Sequence, residues 1–168
     1  MGNKLFYVIF VLWYLLVANT TFAQGRFQTR AERDDAELWA YFNKNMIRPI
    51  KTQNGVYCLI THKGTGDYAQ VGQEISVNYT GKILDGKTFD SNVDEKYKHV
   101  GPFTFRLGTG MVISGWDDAL IVFNTGCKGT IYVPSSMAYG ATSPGKGIPP
   151  NSILVFDIEV TEIDNNEQ

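Results

Sequence analysis

Residues 74–90 read EISVNYTGKILDGKTFD. Up to Ile83 the stretch alternates. Ile75, Val77, Tyr79 and Ile83 fall on one face, and Glu74, Ser76, Asn78, Thr80 and Lys82 on the other. A period of two residues is the repeat of an extended strand. One apolar and one polar face mark an antiparallel sheet with a buried side and a wet side. Asp85-Gly86 then supplies the positive φ that a tight turn needs, and KTFD resumes the pairing. The unit is a hairpin.

The same period continues on both sides of it. VYCLITH (56–62) reads as a strand before the hairpin. After it come FTFRL (103–107), with Phe103, Phe105 and Leu107 on one face, and GTIYVP (129–134), with Ile131 and Val133 inward. The last strand alternates Leu154, Phe156, Ile158 and Val160 against Val155, Asp157, Glu159 and Thr161. A single short helix, SGWDDALIVF (114–123), interrupts the strands. Ser114 is its expected cap with Asp117 three residues on, and Asn124-Thr125-Gly126 is its expected stop. An apolar sheet face needs a cover, and this helix is the main candidate. The fold class is α+β, an antiparallel sheet wrapped on one short helix.

Upstream, TRAERDDAELWAYFNKNMIR (29–48) has helical spacing. Thr29 and Glu32 form a capping box, and acidic residues stand early with Lys44 and Arg48 late. Pro49 ends the element. Leu38, Trp39, Phe42 and Met46 make one apolar stripe, which suits either docking on the chain's own domain or a homodimer contact. Ahead of it, Lys4 precedes an unbroken apolar run, Leu5–Ala18, and small residues Thr21 and Ala23 precede Gln24. This is the pattern of a secretory signal cleaved after Ala23, too short for a spanning anchor. The expected organisation is a signal at 1–23, a helical extension and linker at 24–54, the main domain at 55–163 and a polar tail at 164–168.

Composition narrows the chemistry. The formal net charge is −2, becoming −3 once Lys4 is removed, so nothing points to nucleic acid. The membrane is met only through the signal. Cys58 and Cys127 enter an oxidising compartment, where pairing and separate burial both stay open. Cys58 and His62 share a strand face, but two ligands are too few for a structural zinc site. No nucleophile elbow, zinc-protease helix or phosphate loop occurs. What stands out is an aromatic inventory and a long Gly/Pro loop, AYGATSPGKGIPPNS (138–152), between two strands.

Three ordered motifs, VNYTGKILDGKTFDSN, PFTFRLGTGMVISGWDDAL and VPSSMAYGATSPGKGIPPNSILVFDIEV, resemble those of FKBP-type peptidyl-prolyl cis–trans isomerases over residues 55–163. The resemblance implies a half-barrel of about five strands, a proline pocket between sheet and helix, and no cofactor or metal. It implies that Tyr79, Asp90, Ile113 and Tyr139 act on the substrate. The Ile113 N–H and the Tyr139 hydroxyl would bind its backbone. Phe89, Phe103, Val112 and Phe156 would line the pocket, Trp116 would form its floor, and Ile148 its apolar lip. Phe105 ranks as core first.

The implied partners are proline-containing unfolded or partly folded polypeptides, with macrolide-type inhibitors as further ligands. The implied setting is export, most simply to a bacterial periplasm. A binding or chaperone role without turnover is the competing reading. One departure stands out. The family commonly carries an arginine between the aspartate and the PF strand, able to pair with that carboxylate. Here the segment is SNVDEKYKHVG (91–101), with Lys96 and Lys98 as its cations, and lysine is a poor substitute for a bidentate guanidinium.

Overall fold

The computed structural model describes residues 29–164. The expected signal segment and all but the first residue of the polar tail lie outside the described residues. In chain order the elements are α1 (Arg30–Lys44), β1 (Ile50–Lys51), β2 (Tyr57–His62), β3 (Thr65–Tyr68), β4 (Glu74–Ile83), β5 (Thr88–Ser91), β6 (Phe103–Arg106), α2 (Ser114–Ala119), β7 (Asn124–Thr125), β8 (Lys128–Val133) and β9 (Leu154–Asp164). Seven strands form the main antiparallel sheet in the order β1-β2-β8-β9-β4-β5, with β6 also paired to β4. The count exceeds five because β1 has only two residues, and because β5 and β6 share one edge of β4, at Thr80–Lys82 and Glu74–Val77. β3 and β7 form a separate ribbon that the sequence pattern did not signal.

The inner face follows the alternation. Ile75, Val77, Phe105, Ile131, Val133, Leu154, Phe156, Ile158 and Val160 are buried with Trp116, Ala119, Leu120 and Phe123 of the α2 segment. α2 continues as a tight 3-10 turn at Leu120–Val122. Its start departs from expectation. Ile113 is the N-cap and makes no side-chain cap, while the Ser114 hydroxyl donates to the Met137 carbonyl at 3.2 Å. Asp117 instead accepts from the Gly108 N–H at 2.8 Å and the Gly110 N–H at 3.3 Å, tying the preceding loop to the helix.

The outer face is not simply wet. Leu38 and Phe42 of α1 are buried on it with Tyr57, Tyr132, Ile153 and Val155. Phe42 meets Tyr132 and Tyr57 edge-on, with ring centroids 4.9 and 5.0 Å apart. Such contacts add to area burial. The capping box of Thr29 and Glu32 is formed. The helix stops at Lys44, earlier than Pro49 would require, because Met46 takes a left-handed φ of 55°. Met46 (85% exposed) therefore leaves the stripe, and Trp39 (47%) sits at its rim. The two central stripe positions are used inside the chain, leaving Trp39 and Met46 for any association between copies.

Cys58 and Cys127 are both buried free thiols. Cys58 and His62 do not share an environment, because a register shift between Ile60 and His62 breaks the alternation and leaves His62 exposed. Burial, with smaller contributions from Asp118 and Cys127, pushes the Cys58 thiol up from 9.0 to about 12. Burial, then Tyr41 and Asp157, likewise pushes the Tyr132 phenol from 10.0 up to about 12.

Two predictions follow from this packing. Phe42→Ala should lower unfolding free energy in denaturant titration by about 3–5 kcal/mol, the usual cost of a buried ring. The raised Cys58 and Tyr132 groups keep their protons in the fold while the unfolded chain gives them up. Their contribution is fully present below about pH 9 and lost as pH rises toward 12. The unfolding midpoint should therefore fall steadily above pH 9, and Cys58→Ala should flatten the first part of that decline.

Candidate active site

The cleft between the inner sheet face and α2 has a volume of about 400 Å³. Its lining is Tyr79 from β4, Phe89 and Asp90 from β5, Phe103 from β6, Gly110–Ile113 before α2, Trp116 of α2, Tyr139, and Phe156 from β9. Nine of the ten residues expected from sequence are thereby brought together. The exception is Ile148. It is only 3% exposed and packs in the same core cluster as Trp116 and Phe156, without being among the residues that line the cleft. A tight turn explains this. Gly145 and Gly147 take φ of 85° and 77°, the Ile148 N–H donates to the Gly145 carbonyl at 3.0 Å, and the Ser143 hydroxyl holds the Ile148 carbonyl at 2.6 Å. The loop folds Ile148 under itself.

The walls are built edge-to-face. Trp116 meets Phe156 at 5.2 Å and 88°, and Tyr79 at 5.2 Å and 79°. Phe89 meets Phe156 at 5.8 Å and 89°. Phe103 stacks on the fully buried Phe105 at 5.4 Å, which leaves Phe105 as core behind the wall. Gly81 makes the arrangement possible. A Cβ there would lie 2.7 Å from Phe89 and 2.9 Å from Phe156. A glycine inside a strand pattern is the signal that could have revealed this close approach. Gly110 and Met111 carried no such signal.

The polar groups stand at the rim and floor. The Trp116 indole N–H is buried and has no hydrogen-bond partner among the described residues. The Ile113 carbonyl accepts from the Trp116 N–H at 2.9 Å, which turns the chain into α2 beside the cleft. Tyr139 is half-exposed at the start of the loop. The Tyr79 hydroxyl donates to Asp90 Oδ2 at 3.3 Å, and burial followed by the Asp90 charge pushes that phenol up to about 12. It therefore remains a donor throughout the neutral range.

Asp90 has more partners than a turn residue needs. Oδ1 accepts from the Ser91 N–H at 3.1 Å and lies 3.1 Å from His99 Nε2, and Oδ2 takes Lys146 Nζ at 3.0 Å. Its basic neighbours are thus His99 and Lys146. Lys96 lies over the Tyr97 ring, and Lys98 adopts a left-handed φ of 62° that turns the chain. Lys146 comes from the 138–152 loop, 56 residues away, beyond the reach of local reading.

Among the described residues no group of three or more metal-ligating side chains occurs, and no helix is long and apolar enough to cross a membrane. Residues 66–161 match the family of FKBP-type peptidyl-prolyl cis–trans isomerases. FK506-binding protein 2 of Yarrowia lipolytica is 40% identical over 116 residues, covering 69% of this chain and 78% of its own. An FK506-binding protein of Neisseria meningitidis serogroup A is 40% identical over 101 residues, covering 60% and 89%. The peptidyl-prolyl cis–trans isomerase FKBP53 of Arabidopsis thaliana is 43% identical over 137 residues, covering 81% of this chain but 26% of that longer protein. With its sheet wrapped on α2 and its aromatic cleft between them, the chain belongs to the FKBP-type family and is a peptidyl-prolyl cis–trans isomerase.

Proposed function

We propose that the enzyme turns Xaa–Pro bonds of unfolded or partly folded exported polypeptides by non-covalent stabilisation of a twisted amide in the aromatic cleft. The observation that carries this reading is the cleft itself, walled by Tyr79, Phe89, Phe103 and Phe156 and floored by Trp116. Resonance holds the peptide bond planar against a barrier of about 18–20 kcal/mol. At the top of that barrier resonance is lost, and the carbonyl is less polar than in the planar amide. An apolar cleft that grips the proline ring disfavours the polar planar state and suits the twisted one, which is catalysis by differential binding. The Ile113 N–H and the Tyr139 hydroxyl hold the flanking carbonyls, and Asp90 holds Tyr79 at the rim. No step needs a nucleophile.

The apolar run at 5–18 supports export, with a bacterial periplasm as the setting. There the enzyme accelerates folding steps limited by proline isomerisation, which otherwise take tens of seconds. The names of the relatives support a macrolide of the FK506 type as a second occupant of the same cleft.

The test is an isomerisation assay on a short Xaa-Pro peptide, run beside refolding of a protein with a slow proline-limited phase. Acceleration of both is expected. A folded sample that accelerates neither overturns the reading. Tyr139→Phe should reduce kcat/KM by roughly three- to tenfold, the worth of one hydrogen bond, with little change in unfolding midpoint. Gly81→Ala should push Phe89 and Phe156 apart and reduce kcat/KM further, while the chain stays folded by circular dichroism.

A further inference from the structure

The helix that precedes the isomerase domain touches the catalytic loop at both of its roots. Asp34 of α1 is fully buried, and its Oδ2 accepts from the Ser135 N–H at 2.8 Å and the Ser135 hydroxyl at 2.6 Å. Ser135 opens the tight turn that leads to Tyr139. The Ser135 carbonyl accepts from the Gly140 N–H at 2.8 Å, and the Gly140 carbonyl accepts from the Asn151 N–H at 2.6 Å. The Asn151 carbonyl accepts from Arg30 Nη2 at 2.7 Å. Arg30 returns to the start. Its Nε donates to the Ser135 hydroxyl at 3.1 Å, and its guanidinium pairs with the other Asp34 oxygen, out of hydrogen-bond alignment.

The contacts thus close a ring: Arg30, Asp34, Ser135, Gly140, Asn151 and back to Arg30. Tyr139 is the residue next to Gly140 within it. Asn151 and Gly140 both sit at left-handed φ, 59° and 58°, so each root is a turn with a defined direction rather than a continuation of strand. A second grip acts on the floor of the cleft. Asp118, two residues after Trp116 on α2, accepts from Asn54 Nδ2 at 2.6 Å and from the Thr52 hydroxyl, both in the linker that follows α1.

We infer that the extension is a brace for the active site, and that Arg30 and Asp34 are positioning residues for Tyr139. The inference rests on the proposed role of Tyr139 at the cleft. A buried carboxylate is costly unless it is paired and hydrogen-bonded. Asp34 meets that requirement only when the roots of the loop are in place, so docking of α1 and the ordered loop require one another. The extension therefore has a catalytic consequence without contacting substrate.

The experiment compares wild type, Arg30→Met, Ser135→Ala and Lys51→Met in the full mature chain. Lys51 pairs with Asp35 on the same helix at 2.5 Å but stands outside the ring, so its variant controls for loss of helix docking alone. Amide exchange over 138–151 should rise in Arg30→Met and Ser135→Ala, with β4 and β9 still protected. In the same variants kcat/KM on the short peptide should fall about tenfold, well short of the roughly hundredfold that an ångström of misplacement can cost. Lys51→Met should change neither. Ser135→Ala keeps the backbone donor to Asp34, so it serves if Arg30→Met does not fold. A lowered unfolding midpoint with unchanged loop exchange and unchanged kcat/KM overturns the brace. The exchange readout is independent of turnover, and Tyr139→Phe run in parallel tests the role of the hydroxyl. Raised loop exchange together with an inert Tyr139→Phe would leave the brace standing and remove the hydroxyl from the mechanism.

Discussion

The pairing of β4 with β9 is the constraint on which the rest of the structure depends. The register runs from Glu74 opposite Asp164 to Ile83 opposite Leu154, with one shift after Ser76. Near its end Gly81 stands opposite Phe156 and, on the other side, opposite Asp90. A slip of one residue would turn every inward side chain outward. It would also remove the one position without a Cβ from beneath Phe89 and Phe156. The register that buries the core is therefore the register that opens the cleft.

Both faces of that sheet carry a helix, each a different one. α2 covers the inner face and supplies Trp116, while α1 covers part of the outer face through Leu38 and Phe42. The position of Val155 shows how this was hidden. In the alternation of β9 it falls among Asp157, Glu159 and Thr161, so it reads as an outward residue of a wet face. It is buried because α1 lies on it, and α1 joins the sheet through contacts more than a hundred residues apart. Period-two patterning tells which residues share a face. It does not tell which faces acquire a cover.

The same division runs through the cleft. Tyr79, Phe103, Trp116 and Phe156 were legible because strand alternation and the covering helix point them at one space, and the family motifs identified that space as a site. The burial of Ile148 was not legible because a glycine-rich loop has no period, so its direction depends on turns that only the folded chain reveals. Ser114 was misread as a cap because a favourable residue type competes with a tertiary acceptor, here the Met137 carbonyl. The partners of Asp90 were missed for a related reason. His99 lay within the segment and was passed over for its lysines, while Lys146 is brought across only when the loop closes.

The loop over the cleft is held at two places of very different strength. At its tip, the Lys146 side chain that reaches Asp90 is 64% exposed. A pair with its lysine in water contributes less than a fully buried one, although the Asp90 carboxylate is itself only 15% exposed. At its base, the Asp34 carboxylate is fully buried against Ser135, and breaking a buried pair typically costs about 3–5 kcal/mol. The buried base therefore contributes more to the position of the loop than the Lys146 contact does. Tyr139 lies close to the firm end. The difference follows from burial: the Asp34 carboxylate is fully enclosed, whereas the Asp90 pair has its lysine mostly in water.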